Sequence, residues 1–439
     1  MTTVTATAAP QSVAILGATG SIGASALDVI ARHPRQYRVA GLSAHANIDA
    51  LRRQCARFQP DLAVMADAAA ARRLADELEG APTRVLGGGD ALAELAAAAD
   101  IVVCGIVGAA GLASTLAAVR AGKKVLIANK EPLVMLGGLI LREARNAGAT
   151  VLPIDSEHNA IFQCVAAAAG PGDGGDGGGA VPGARPAGLA RIILTGSGGP
   201  FRRLPLGEFR HVTPAQACAH PNWDMGPKVS VDSATMMNKG LELIEACALF
   251  AVGEREVDIV IHPQSVVHSL VEFADRSVLA QLGPPDMRVA IAHALGWPQR
   301  IASGARRLSL TDCARLDFEP PDHRRFPCIG LARQAARAGG ALPAAMNAAN
   351  EVAVDAFLRG QLRFDRIAAT VESSMARADA SDGDCTLEDA LDADAQARRQ
   401  CRELLRAAPV TVGVAAESTA SAESTAATPG SPAATPAVC

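Results

Sequence analysis

The sequence predicts an α/β protein: a doubly wound parallel sheet comes first, a mixed α+β region follows, and the C-terminal part is helical. Three observations predict it. Seven short apolar runs alternate with helical stretches between residues 12 and 154; strand-like runs then surround one long helical run; from about residue 322 only helical signals remain. Strands alternating with helices at this spacing form parallel sheets, because each return of the chain needs a crossover helix. At 439 residues the chain exceeds what one hydrophobic core supports, so several domains are expected.

Residues 1–11 read as a flexible leader. The apolar runs are then SVAIL (12–16), YRVAGL (37–42), LAVM (62–65), TRVL (83–86), IVVC (101–104), KVLIA (124–128) and TVLPI (150–154). Residues 101–119 carry no charge and could pass for a membrane span, but Gly105, Gly108 and Gly111 divide them into a buried strand, a turn and a helix. After Ile154 the central region spans 155–305, with a Gly/Ala/Pro run at 167–188 expected to be a mobile surface insertion. RIILTG, VDIVIH, SVVHSLVEF and SVLAQLG read as strands around a single helical run from Ser233 to Phe250. Residues 306–321 read as a linker, 322–408 as a helical domain that includes AAMNAANEVAVDAFLRG, and 409–439 as a disordered low-complexity tail.

Charge and cysteine content exclude some functions. With a formal net charge of −4 the chain has no electrostatic footprint for nucleic acid or an anionic membrane. Ten scattered cysteines without C-x-x-C spacing point to reduced thiols and a cytoplasmic location. The opening MTTVTATAAPQS lacks Lys, Arg and an apolar core, so it is not a secretory signal.

In ILGATGSIGASALDVI, Gly17, Gly20 and Gly23 follow the first strand at three-residue intervals and the next helix opens near Ser21. Glycines let the backbone approach a pyrophosphate, and the helix start offers unpaired N–H groups, so the unit predicts dinucleotide binding rather than an ordinary tight turn. The second strand ends in GLSAHANID with no carboxylate before Asp49, while His45, Arg52 and Arg53 lie close; this favours NADP over NAD.

VLPIDSEHNAIF places Asp155 and Glu157 two apart. In an extended segment alternate side chains share a face, so the pair would form one site, with Ser156 pointing away. Paired hard oxygen ligands suit Mg²⁺ or Mn²⁺; the bland alternative is a solvated turn or a helix cap. In VSVDSATMMNKGLELIEACALF, either Glu242 or Glu245 could supply a third ligand, the other facing water, and spacing does not choose. Ser233 at a helix start, with Asn238 and Lys239, has the composition of a phosphate cradle. Ser197 in LTGSGGPF offers loop amides for the same phosphate, not a G-x-S-x-G nucleophile. His220, Trp223 and Met225 lie in a Pro/Gly loop suited to a lid, whereas His262 and His268 read as structural.

Together GATGSIG, ANKEPLV, PIDSEHNAIFQ, LTGSGGPF, HPNWDMG, VDSATMMNKGLE, IHPQSVVHS and NAANEVAV resemble the 1-deoxy-D-xylulose 5-phosphate reductoisomerase family, in order, over about residues 12–400. The resemblance implies a Rossmann-like NADPH-binding domain (12–154), a central α+β catalytic, metal-binding and dimerisation domain (155–305), a C-terminal α-helical bundle and a homodimer. It implies that Asp155, Glu157 and Glu242 bind Mg²⁺, Mn²⁺ or Co²⁺. It further implies that Lys130, Ser156 and His220 contact the oxygen-bearing carbons of a sugar phosphate, that Ser197, Ser233, Asn238 and Lys239 hold its phosphate, and that Trp223 is the lid. Thr19, Gly20, Ser21, Ile22, Asn47, Asn129, Glu131 and Gly226 match cofactor-contacting positions.

The chain departs from the family pattern where A-G-K-N becomes Ala44, His45, Ala46, Asn47, which removes a lysine from the place of the 2′-phosphate, and in the glycine-rich insertion and the tail. Two rivals are a metal-dependent NADP dehydrogenase of a β-hydroxy acid and a non-catalytic NADP-binding sensor. The first would call for an arginine fork, absent from the site motifs; the second should have lost Asp155, Glu157, Lys239 and Glu242, all present.

Overall fold

The computed structural model describes residues 9–168, 182–223, 225–378 and 385–407. Seven strands form the first sheet: β1 (Gln11–Leu16), β2 (Tyr37–Ala44), β3 (Leu62–Met65), β4 (Arg84–Gly87), β5 (Ile101–Cys104), β6 (Lys124–Ile127) and β7 (Thr150–Pro153). Their order is β4-β3-β2-β1-β5-β6-β7 and every neighbouring pair is parallel. All seven coincide with the apolar runs to within two residues, because strands covered by helices on both faces must be apolar throughout. The order reverses between β1 and β5, which opens a crevice beyond the strand ends where ligands of such sheets bind.

The uncharged 101–119 stretch resolves into β5, a 3₁₀ turn (Ala109–Gly111) and the start of the helix Leu112–Arg120. Among the described residues no helix is long and apolar enough to cross a membrane. β1 begins at Gln11, the last residue of the expected leader; residues 1–8 of that leader lie outside the described residues.

The second sheet contains β8 (Leu189–Gly196), β9 (Val257–Ile261), β10 (Val267–Phe273) and β11 (Val278–Leu282) in the order β11-β10-β8-β9. β8 and β9 run parallel; the other two pairs are antiparallel. The four strand readings hold, but the single helix expected from Ser233 to Phe250 is two, Pro227–Thr235 and Met237–Phe250. The chain turns at Met236, which adopts φ 60° while buried. Thr235 Oγ1 accepts the Met237 N–H at the break. Ser233 therefore lies near the end of one helix rather than at a start, and the reoriented first turn of the next carries Asn238 and Lys239.

The expected insertion is shorter than 167–188. The helix Ser156–Ala168 takes its first two residues, 169–181 lie outside the described residues, and the last part is tied to the body: Gly183 N–H donates to Leu249 O at 2.6 Å and Arg185 pairs with Glu256 at 2.6 Å. Residues 306–321 are more than a linker, since they hold a short helix (Leu310–Cys313) and Glu319 bridges Ile261 at the β9 edge. Among the described residues four α-helices follow: Pro327–Ala338, Leu342–Leu358, Ile367–Met375 and Leu387–Ala407. The tail, 409–439, lies outside the described residues.

Candidate active site

Gly17 leaves β1 at φ 83°, and a Cβ there would lie 2.7 Å from Gly105 O; one on Gly23 would lie 2.4 Å from Ala18 O. The turn needs glycine at the first position and the helix–strand contact needs it at the second. Ser43 fixes the turn from β2, its Oγ accepting Gly17 N–H at 3.0 Å and its carbonyl accepting Ala18 N–H at 2.7 Å. Gly20 caps the helix Ser21–Arg32 and faces a cavity of about 880 Å³.

That cavity collects most of the side chains singled out from the sequence. Gly20, Ser21, Ile22, Asn129, Lys130 and Glu131 line it together with Asp155, Ser156, Glu157, Ser197, His220, Trp223, Gly226, Ser233, Asn238 and Lys239. Thr19, Asn47 and Glu242 do not line it. Asn47 caps the helix Ile48–Phe58, its Oδ1 accepting Ala50 N–H at 3.1 Å. Glu242 is fully buried behind Lys130, Asn238 and Lys239.

The acidic pair meets, but not by strand alternation. β7 ends at Pro153 and a helix starts at Ser156, so Asp155 precedes the helix, its carbonyl accepting Asn159 N–H at 2.9 Å, and Glu157 stands in the first turn. Ser156 does not point away: its Oγ donates to Glu157 Oε2 at 2.5 Å. Ligand atoms of Asp155, Glu157 and Glu242 lie within 4.8 Å of one another, as do those of Asp155, His158 and Glu245. Neither Glu242 nor Glu245 faces water; both are fully buried, with Glu245 3.2 Å from His158 Nδ1.

Four carboxylates here face two ammonium groups and one imidazole. Lys130 Nζ lies 3.2 Å from Asp155, 3.3 Å from Glu242 and 2.9 Å from Asn238 Oδ1. Lys239 Nζ lies 2.5 Å from both Glu157 and Glu242, so it joins the carboxylates rather than the expected cradle with Ser233. Burial, reinforced by Glu157, pushes the Glu242 carboxyl up to about 7, and burial pushes Glu245 to about 8. Burial opposes a charge on Asp155 as well, but Lys130 and His158 outweigh it and hold the group well below the usual range. Burial would lower His158, yet Glu245 and Asp155 raise it to about 9.

Elsewhere in the cavity lining, His220 Nε2 lies 2.9 Å from Ser197 Oγ. His220 Nδ1 accepts the N–H groups of Asn222 (3.2 Å) and Trp223 (3.0 Å), so Nε2 carries the proton and donates to Ser197. Burial, then Lys239, lowers this imidazole to about 4 and keeps it neutral. The Trp223 ring stands 6.1 Å from that of His268, which lines the cavity while hydrogen-bonding to the backbone at Gly283 and Pro284. His262 is structural as expected, with Nδ1 2.8 Å from Asp317 O and Nε2 accepting Val266 N–H at 3.2 Å. Sequence reasoning passed over Lys228 and Asp232, which also line the cavity; the proximity of Lys228 to HPNWDMG was the available signal.

Both ligand sites fit the groups they were expected to take. Three clustered carboxylates form a hard oxygen donor set for a divalent cation. Beside the glycine turn, Asn129 is buried with neither amide atom hydrogen-bonded, a polar group that a ligand in the crevice would satisfy.

Three family models match the chain: 1-deoxy-D-xylulose 5-phosphate reductoisomerase over residues 13–137, the C-terminal domain of that reductoisomerase over 151–250, and a DXP reductoisomerase C-terminal domain over 282–400. The 1-deoxy-D-xylulose 5-phosphate reductoisomerase of Ectopseudomonas mendocina is 58% identical over 366 residues, covering 82% of this chain and 90% of the relative. That of Cellvibrio japonicus is 55% identical over 409 residues, covering 90% and 98%. Among solved structures, a DOX-P reductoisomerase in complex with NADPH, fosmidomycin and magnesium is 43% identical with a TM-score of 0.83, covering 90% of this chain and 98% of that one. The Zymomonas mobilis enzyme in complex with NADPH is 45% identical with a TM-score of 0.81, covering 91% and 100%.

Proposed function

The chain belongs to the 1-deoxy-D-xylulose 5-phosphate reductoisomerase family, and from that premise we propose that it converts 1-deoxy-D-xylulose 5-phosphate to 2-C-methyl-D-erythritol 4-phosphate in isoprenoid precursor synthesis, using NADPH and a divalent ion. The observation that carries this reading is the joining, in one cavity, of a dinucleotide turn at Gly20 and the carboxylates Asp155 and Glu157, backed by Glu242. The reaction rearranges the carbon skeleton to an aldehyde and then reduces it.

Asp155, Glu157 and Glu242 would hold Mg²⁺ or Mn²⁺, with Co²⁺ open to the same donors. When bound, the ion supplies Lewis-acid polarisation of substrate oxygens. Thr19, Gly20, Ser21, Ile22, Asn47, Asn129, Glu131 and Gly226 bind NADPH, which supplies the hydride. Lys130, Ser156 and His220 contact the substrate's oxygen-bearing carbons, His220 turning to them the Nε2 proton that it otherwise donates to Ser197. Ser197, Ser233, Asn238 and Lys239 hold the phosphate, Lys239 turning to it when a cation takes over the neutralisation of Glu157 and Glu242. Trp223 closes the cavity against water.

By the same reading residues 12–154 form the NADPH-binding domain, 155–305 the catalytic domain and 322–408 the C-terminal helical domain. The protein acts as a homodimer in the cytoplasm. Support for the dimer comes from β11, an edge strand with exposed Val278, Leu279 and Leu282, a template for pairing with a second copy. Support for the location comes from the free thiols.

The test is NADPH oxidation with 1-deoxy-D-xylulose 5-phosphate, with Mg²⁺ or Mn²⁺, after EDTA, and in Asp155→Asn. Oxidation that needs the metal and is abolished by the substitution is expected; oxidation that survives both would overturn the assignment.

A further inference from the structure

Asn347, Asn350 and Glu351 of the NAANE run take no part in the site as described, yet they lie on the helix Leu342–Leu358, which is buried over almost its whole surface. Polar side chains in such a helix are costly unless something specific engages them. Two chains of contacts lead from them to the cavity wall.

The first begins at Asn350, whose Nδ2 donates to Asp232 Oδ1 at 2.8 Å. Asp232 Oδ2 lies 2.9 Å from Lys228 Nζ, and that ammonium lies 2.6 Å from Glu131 Oε1. Glu131 is almost wholly buried and lines the cavity next to Asn129 and Lys130. Lys228 thus holds the Glu131 carboxylate in one place, and Asn350 and Asp232 hold Lys228.

The second begins at Glu351. Its Oε1 accepts the N–H of Ala109 at 3.1 Å and Nδ2 of Asn347 at 3.0 Å, while its Oε2 lies 2.6 Å from Arg398 Nη2, on the helix Leu387–Ala407. Ala109 follows Gly108, which turns at φ 79° and where a Cβ would lie 2.9 Å from Glu351 Oε1. The loop that ends there starts at Gly105, against Gly17 and Ile22, and presents Gly105 and Val107 to the cavity. Glu351 therefore fixes the loop that lines the cavity beside the glycine turn.

We propose that Asn350 and Glu351 are positioning residues for NADPH: the C-terminal helices shape the cofactor end of the cavity through Glu131 and through the Gly105–Ala109 loop. The inference rests on the NADPH reading of the crevice. It assigns the NAANE run a role in cofactor affinity and none in holding the sugar phosphate.

The experiment measures NADPH dissociation constants by nucleotide fluorescence, together with both Michaelis constants and thermal melts, on the full chain. Glu351→Ala and Asn350→Leu are expected to weaken NADPH binding about tenfold each, as the Ala109 loop and Lys228 lose their fixed positions, while the KM for the sugar phosphate stays within about twofold. Glu351→Gln keeps an acceptor for Ala109 and is expected to restore most of the affinity. Arg398→Met, which loosens Glu351 from outside the cavity, is expected to give the same split at smaller size. Michaelis constants that rise together, or a fall in melting temperature with no change in NADPH affinity, overturn the proposal. A wild type that binds no NADPH overturns the reading of the crevice and this inference with it, whereas equal binding by wild type and Glu351→Ala overturns the inference alone.

Discussion

Lys239 and Glu157 are in direct contact, Nζ to Oε1 at 2.5 Å, so an ammonium neutralises the carboxylates that a divalent ion would otherwise hold. Ion and ammonium then compete for the same oxygens, and binding of the ion is linked to the folded state alone.

The thermal midpoint is therefore expected to rise on adding Mn²⁺ or Mg²⁺, by the equivalent of about 3 kcal/mol at a hundredfold excess over Kd. Asp155→Asn should lose most of that rise. Equal rises in both proteins, followed by calorimetry, would mean that the ion binds elsewhere.

Gly17→Ala is expected to weaken NADPH binding at least about tenfold, since it combines an unfavourable φ, worth about 1–2 kcal/mol, with a collision against Gly105 O. Gly80→Ala is the control outside the cavity: Gly80 shares the left-handed conformation, φ 82°, with open space around its Cβ position. Nucleotide fluorescence titration of both variants is the check, and Gly80→Ala should bind like wild type.

Trp223→Ala is expected to raise the KM for the sugar phosphate by about tenfold or more through lost apolar cover, with little change in NADPH affinity. Steady-state kinetics with each substrate varied would show it. Unchanged KM and kcat would remove Trp223 from the role of lid.

His293 is buried between Phe162 and Trp297, with Nδ1 3.2 Å from Asn159 Nδ2, and burial lowers its imidazole from 6.5 to about 4. Between those values the unfolded chain binds a proton that the folded one refuses, so stability falls as pH falls from 6.5 to 4 and levels off below. The loss attributable to this one group is roughly 3 kcal/mol. Denaturant unfolding across that pH range should be flatter in His293→Gln; parallel curves would place the proton uptake elsewhere.

The sheet was legible in the sequence because parallel strands buried on both faces are written as apolar runs, IVVC and KVLIA among them. The break at Met236 was not, since neither Gly nor Pro marks it and the residue is held at φ 60° by tertiary packing. Asp155 and Glu157 announced a paired site, but the helix start that joins them was read as the rival to that site rather than as its means. His262 and His268 are alike in sequence and part only in three dimensions: both hydrogen-bond to backbone, but only His268 also lines the cavity. Asn350 and Glu351 could be quoted as a motif but not given a task, because their partners Asp232 and Ala109 lie more than a hundred residues away.

The helix that opens at Ser156 runs thirteen residues to Ala168, about 20 Å from its first turn to its last. Its last turn, at Ala168, is the end remote from Glu157, and the next described stretch is tied to the body at Gly183, whose N–H donates to Leu249 O. A label carried by the last turn of this helix is accordingly held about 20 Å from the metal-holding turn and leaves it as it is.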